Sequence, residues 1–273
     1  MTETLFNFPE IDPVAIALGP LQVRWYALAY VAGLMGGWWL IRRQIRAGLS
    51  VLDSNQLDGL MNASLIGILA GGRLGYVLFY NPATYLAAPL DILKVWEGGM
   101  SFHGGLTGVI LAILWCARHY RLSPLAIGDE VALVAPLGLL FGRLANFING
   151  ELYGRVTDHA LGIVFPRGGP LPRHPSQLYE AGLEGLLLLI IVWAMRRWQT
   201  AKGLGHGLIL SCFLSGYGLA RFGIELVREP DAHIGLLATD LFSDGLTMGQ
   251  LLCLPMIAVG LLGLFRCSKC GPV

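Results

Sequence analysis

Seven apolar runs divide the sequence, near residues 19–41, 57–79, 103–118, 127–147, 177–195, 205–226 and 247–265. Each approaches the roughly 20 residues that carry a helix through the hydrocarbon core of a bilayer. No water reaches a main-chain amide there, so a spanning segment must satisfy its own hydrogen bonds, and runs of this length do so as α-helices. The pattern predicts an all-α polytopic integral membrane protein with seven transmembrane helices. Composition agrees: 55% of the 273 residues are hydrophobic and 14% are charged, against about a quarter charged in soluble domains. The 37 glycines suit helices that approach closely in lipid. A net charge of +1 makes no case for nucleic acid as a partner. No internal repeat and no soluble-domain-sized insertion interrupts the pattern, so a single membrane domain is expected over 1–273. The N-terminus lacks the basic stretch that opens a cleavable signal peptide, and the first span is expected to be retained.

Basic residues orient the bundle. Arg42, Arg43 and Arg46 follow the first span, Arg118 and Arg121 the third, Arg196, Arg197 and Lys202 the fifth, and Arg266 and Lys269 the seventh. After seven crossings these clusters share one side, which the positive-inside rule makes cytoplasmic. The C-terminus is then cytoplasmic. The N-terminus and the loops 80–102, 148–176 and 228–246 face outward, which in a bacterial inner membrane is the periplasm. Segment 80–102 carries Pro82, Pro89, Trp96 and Gly98–Gly99 and reads as a part-helical interfacial arm. Segment 148–176 carries Arg155, Asp158, His159, Arg167 and Arg173. Its Pro166, Pro170, Pro172 and Pro175 break any long helix, so it reads as a small polar periplasmic cap.

Ionisable residues inside apolar spans are expensive and point to function. Arg73 sits among Gly71, Gly72 and Gly75, and suits either snorkelling or pairing with an acid. Glu180 and Glu184 open the fifth span and suit internal ion pairs as well as a site. Arg143, Asn146, Gly150, Tyr153 and Gly154 share one face if the fourth helix continues that far, at about 100° per residue. Arg221, Glu225 and Arg228 are spaced i, i+4, i+7 on another face. Two guanidiniums near headgroup depth make a site for a phosphate, because arginine stays charged in low dielectric and grips phosphate bidentately. Glu225 can hold Arg221 in place, and a purely structural Arg–Glu clamp is the competing reading.

His103 opens the third span within SFHGGLTG, followed by Gly104 and Gly105. Imidazole is poised to move protons near neutral pH, and an interfacial histidine also serves as a plain polar anchor. Trp25 and Tyr26, at the outer end of the first span, fit an aromatic belt. Cys116, Cys212 and Cys253 lie in apolar runs, while Cys267 and Cys270 form a lone CxxC, half a zinc site at best. Neither a nucleotide motif nor a metal-ligand set is readable. The residues alone describe an outward-facing pocket suited to a phospholipid headgroup. It could belong to an enzyme, a lipid transporter or flippase, an intramembrane protease, or a lipid-binding scaffold.

GRLANFINGELYGR at 142–155 resembles the signature of the bacterial prolipoprotein diacylglyceryl transferases, usually G-R-x-G-N-F-I-N-G-E-x-Y-G-R, with Ala145 where glycine is usual. RWYALAY near the start, SFHGG at 101, HPSQLYE at 174–180 and RFGIELVREPD at 221–231 resemble further family segments in family order. The resemblance implies transfer of a diacylglyceryl group from phosphatidylglycerol to the lipobox cysteine of a prolipoprotein, just after its signal helix. Glycerol phosphate would be released, and neither cofactor nor metal is required. It implies catalytic roles for His103, Arg143 and Arg221. Substrate binding would fall to Tyr26, Asn146, Glu151, Gly154 and Glu225, together with the same two arginines.

Overall fold

A computed structural model describes residues 6–9, 11–19, 21–229 and 246–269. Most of the expected outward loop 228–246 and Cys270 lie outside the described residues. The chain divides into two compact units, Ile41–Gly128 and the remainder, which runs to Leu40 and resumes at Asp129. Helices occupy all seven apolar runs: α1 (Trp25–Arg46), α2 (Ser54–Phe79), α4 (Phe102–Tyr120), α5 (Pro124–Ile148), α6 with α7 (Ser176–Glu180 and Leu188–Lys202), α8 (Leu208–Ile224) and α9 (Met248–Lys269). A short α3 (Pro82–Ala87) lies between α2 and α4. Among the described residues, four helical stretches are long and apolar enough to cross a membrane: Ser54–Phe79, Pro124–Ile148, Ser176–Lys202 and Met248–Cys267. Two small ribbons were not expected from a pattern dominated by long apolar runs. A parallel pair joins β1 (Phe6–Asn7) to β4 (Ile163–Val164), and a hairpin joins β2 (Val14–Leu18) to β3 (Leu21–Arg24).

Within Ile41–Gly128, α2 and α4 pack main chain against main chain. Gly67, Gly71 and Gly75 recur every fourth residue on α2 and face Gly104 and Gly108 of α4. A Cβ on Gly71 or Gly108 would run into the backbone of the facing helix. Small residues are what let helices approach where lipid tails give no hydrophobic drive to associate. A capping box between Asp53 and Gln56 starts α2, and the Ser101 side chain accepts from Gly104 N to start α4. The intervening chain forms α3 and two 3₁₀ turns, Pro89–Leu93 and Val95–Glu97.

In the other unit, Gly33, Gly36 and Gly37 of α1 lie against Gly138, Leu137 and Val134 of α5. Gly260 and Gly263 of α9 lie against Ser211 and Ser215 of α8. Ala132 and Leu133, Leu188 and Val192, and Ile209 and Cys212 form a buried core shared by α5, α7 and α8. Beside that core, Asp129 accepts hydrogen bonds from the amides of Gly207 and Leu210 at 2.8 Å each, satisfying the start of α8. Arg196, counted among the cytoplasmic basic residues, is buried and paired with Glu130 at 3.0 Å.

One expectation fails at the end of α5. The helix stops at Ile148, and Gly150 and Leu152 take left-handed φ values of 62° and 58°. Gly150, Tyr153 and Gly154 therefore do not continue the face that carries Arg143 and Asn146. A glycine in the left-handed region ends a helix at little cost, whereas glycine within apolar helices is common and gives no stop signal by itself.

Candidate active site

Six ionisable side chains from three stretches of the larger unit meet in one buried network. Arg143 of α5 places Nε 2.6 Å from Glu180 Oε2 and Nη2 3.6 Å from Glu184 Oε2. Arg221 of α8 places Nη1 3.2 Å from Glu180 Oε1 and 3.7 Å from Glu184 Oε1, while Nη2 lies 2.6 Å from Glu225 Oε1. Arg228 places Nη1 3.2 Å from Glu180 Oε1 and Nε 3.7 Å from Glu225 Oε1. Three guanidiniums thus face three carboxylates, and the set is formally neutral. Glu180 and Glu184 are fully buried, so each depends on its arginines for the charge compensation that water would otherwise supply.

Local structure explains how the carboxylates converge. Between α6 and α7 the helix widens into a π turn over Ala181–Leu187, a feature frequent at functional sites. Glu180 enters that turn and Glu184 lies within it. Gly185 brings the same turn against the main chain of α5, where a Cβ would sit 2.8 Å from the Leu140 Cα. At the end of α8, Arg221 and the C-cap Glu225 are four residues apart and pair directly. Glu225 Oε2 also accepts from the Thr247 hydroxyl at 2.7 Å. Thr247 in turn forms a capping box with Gln250 at the start of α9. Gly249 leaves room for the Glu225 carboxylate, because a Cβ there would lie 2.7 Å from Glu225 Cδ.

The signature segment continues beside this network. Asn146 is buried and donates Nδ2 to Glu151 Oε1 at 3.0 Å, and Asn149 adds a longer bond of 3.4 Å. Gln177 donates to the Glu151 carbonyl at 2.6 Å, and the Ser176 hydroxyl donates to the Leu152 carbonyl at 3.0 Å. The close approach at Gly154 is to protein backbone: a Cβ there would meet His174 and the Val227 carbonyl. Gly154 N donates to the His174 carbonyl at 2.8 Å, and Arg155 N to the Val227 carbonyl at 2.9 Å. These bonds dock the chain that carries Arg228. The His174 imidazole is held below its ordinary value of 6.5, first by burial and then by the nearby His159 charge. Tyr26 accepts a hydrogen bond from the Tyr30 hydroxyl at 3.2 Å.

The structure therefore brings Arg143, Arg221 and Glu225 into one network and places Asn146, Glu151, Gly154 and Tyr26 in the same compact unit. His103 belongs to Ile41–Gly128, where it is exposed in the first turn of α4 with its ring edge-on to Phe102. Sequence reading left Glu180 and Glu184 undecided and kept Arg228 out of the site. The usable signal was two carboxylates four residues apart in an apolar helix. Tyr217, one turn before Arg221, was missed altogether; it lies within electrostatic reach of Glu184, Arg221 and Arg143. Within the network, Arg221 Nη1 and both Glu184 oxygens are buried and make no hydrogen bond among the described residues. Arg221 Nη1 is thus held by charge, within ion-pair distance of Glu180 and Glu184, rather than by a directed hydrogen bond.

Apolar helices with a buried guanidinium–carboxylate network define the chain as a helical membrane protein with a polar interior site. Residues 13–266 match the model of the family described as prolipoprotein diacylglyceryl transferase. The chain is 55% identical over 268 residues to the phosphatidylglycerol–prolipoprotein diacylglyceryl transferase of Rhodospirillum rubrum, covering 97% of this chain and 96% of that one. The enzymes of the same name from Allorhizobium ampelinum and Vibrio atlanticus are 49% and 47% identical, with 98% and 99% of this chain covered and 93% and 96% of theirs. The chain belongs to the prolipoprotein diacylglyceryl transferase family.

Proposed function

We propose that this protein is a transferase that moves the diacylglyceryl group of phosphatidylglycerol onto the lipobox cysteine thiol of a prolipoprotein. The observation that carries the reading is the buried network in which Arg143 and Arg221, from two different helices, converge on the same two carboxylates, Glu180 and Glu184. In the reaction the substrate thiolate attacks the glyceryl carbon, a C–S bond forms and the glyceryl C–O bond breaks. The electron pair stays on the departing phosphate oxygen, so a phosphodiester monoanion leaves as a glycerol phosphate dianion. Charge that develops on a leaving group is best stabilised by donors already oriented in a site that excludes water. Arg143 and Arg221 bind the phosphodiester and receive that charge, with Glu180, Glu184 and Glu225 holding them in place. Tyr26, Asn146 and Glu151 contact the headgroup glycerol or position Arg143, and Gly154 keeps the docked backbone close. His103 takes the thiol proton. The nucleophile comes with the substrate, so the enzyme needs no cysteine of its own, and no cofactor or metal enters the step.

The accompanying membrane reading is a multi-pass protein of the bacterial inner membrane with seven spans. Its N-terminus and the 148–176 cap are periplasmic and its C-terminus is cytoplasmic. Membranes carrying the protein are incubated with labelled phosphatidylglycerol and a lipobox peptide. Arg143→Ala and Arg221→Ala should each lower thioether formation by roughly a hundredfold or more while the protein stays in the membrane. Wild-type lipidation by either variant overturns the phosphate-binding reading. Peptide cleavage without thioether would indicate a protease, and lipid movement without product a transporter.

A further inference from the structure

Arg73 is an ionisable residue in an apolar span that the site does not use. Its side chain neither snorkels outward nor pairs with an acid. It is 4% exposed, and among the described residues no carboxylate forms an ion pair with it. Its guanidinium instead grips main chain. Nε donates to the Ile92 carbonyl at 2.8 Å, Nη2 to the Asp91 carbonyl at 2.6 Å, and Nη1 to the Gly98 and Gly99 carbonyls at 2.6 and 3.3 Å. The cation also lies over the Tyr85 ring, 5.1 Å from its centroid. Four carbonyls from two turns of an irregular segment thus converge on one planar fork. Hydrogen bonds with one charged partner are about twice as strong as neutral ones, and the segment's apolar side chains contribute little packing within the protein: Leu86, Leu90, Leu93 and Trp96 are each 69% or more exposed.

The grip sits immediately before α4. Gly98 and Gly99 take positive φ values of 86° and 76°, which turn their carbonyls toward Arg73. Two residues later Ser101 N donates to the carbonyl of Gly72, the neighbour of Arg73, at 2.8 Å, and the Ser101 side chain then caps α4. His103 follows in the first turn. We infer that Arg73 is a positioning residue, a main-chain-bound cation that pins the segment 91–99 and so sets where α4 begins and where His103 is held. The inference rests on the proton-transfer role given to His103 above.

Lys94 is the only lysine or arginine between Arg73 and Arg118, so trypsin cleavage after it reports release of the segment. Proteolysis requires local opening and tracks the open population. With purified full-length protein in detergent, Arg73→Gln should speed cleavage at Lys94 by about tenfold or more, the loss of charged hydrogen bonds worth at least 1.4 kcal/mol. Arg73→Lys, with one point donor in place of a fork, should recover part of the protection. In the transfer assay kcat should fall by roughly tenfold to a hundredfold, with KM for phosphatidylglycerol nearly unchanged. Added to His103→Gln, Arg73→Gln should cause little further loss of the residual transfer, because both act through one group. Should Arg73→Gln fail to accumulate, Arg73→Lys alone should still be cleaved at Lys94 faster than wild type, because a single ammonium cannot reach all four carbonyls. Unchanged cleavage, normal transfer or a fully additive loss each overturns the inference. Normal transfer by His103→Gln alone overturns the role of His103, and the positioning role with it.

Discussion

The arginines and glutamates of the site are individually ordinary, and their value lies in how they share charge. Glu180 accepts ion pairs from Arg143, Arg221 and Arg228, more than either of the other two carboxylates. Removing one partner of a buried ion pair typically costs about 3–5 kcal/mol, because the charge left behind has no water to solvate it. Glu180→Gln should therefore lower thermal stability in detergent by an amount in that range. Glu180→Gln with Arg228→Gln should recover part of it, since the pair then leaves together. A melting curve for Glu180→Gln that matches wild type would mean the carboxylate holds nothing. All six residue types were legible in the sequence, but α8 ends at Ile224, so Arg228, expected on the helical face of Arg221 and Glu225, reaches the network from beyond the helix. Which helix faced which was not legible, because i, i+4 spacing defines a face and says nothing about the neighbour opposite it. For the same reason Arg73 looked like a candidate for snorkelling or acid pairing; main-chain carbonyls as its partners depend on a turn that no periodicity encodes.

At the level of elements, glycine does two different jobs that a sequence pattern cannot separate. On α2 and α4 it permits helix contact, and Gly108 is the tightest case, with a Cβ colliding with the backbone of Gly67. Gly108→Leu should separate the helices and destabilise the unit by about 1–3 kcal/mol. Gly105→Ala on the same helix should be tolerated, since its nearest neighbour, the Ile68 carbonyl, lies at 3.7 Å. Denaturation of the two variants side by side checks this, and equal stability would mean the crossing is looser than the geometry requires. At Gly150 glycine instead ends α5, and the helical face expected to run on to Gly154 is cut there. The signature segment then divides in function. Arg143 and Asn146 act from a helix, whereas Glu151 and Gly154 act from a loop tied to the Arg228 chain.

At the scale of the whole molecule the basic clusters argue for one orientation, and they keep most of their weight although Arg196 is spent on Glu130. Arg197 and Lys202 remain beside it. In a background with Cys267 and Cys270 replaced by serine, a membrane-impermeant thiol reagent applied to intact spheroplasts should label Asp158→Cys. It should leave Lys202→Cys unlabelled until the membrane is opened. The reverse labelling would invert the topology and move the site to the cytoplasmic side. Sequence alone determined the apolar helical class, the places where helices form, the charge bias between loops and the residue types available for chemistry. Each of these is a sum over neighbours along the chain. The tertiary structure decided which carboxylate compensates which guanidinium, where glycine backbones touch, and that Arg73 binds main chain. Those are energies of juxtaposition between segments tens of residues apart, and in a medium without water they are settled by whichever partner is close enough to replace it.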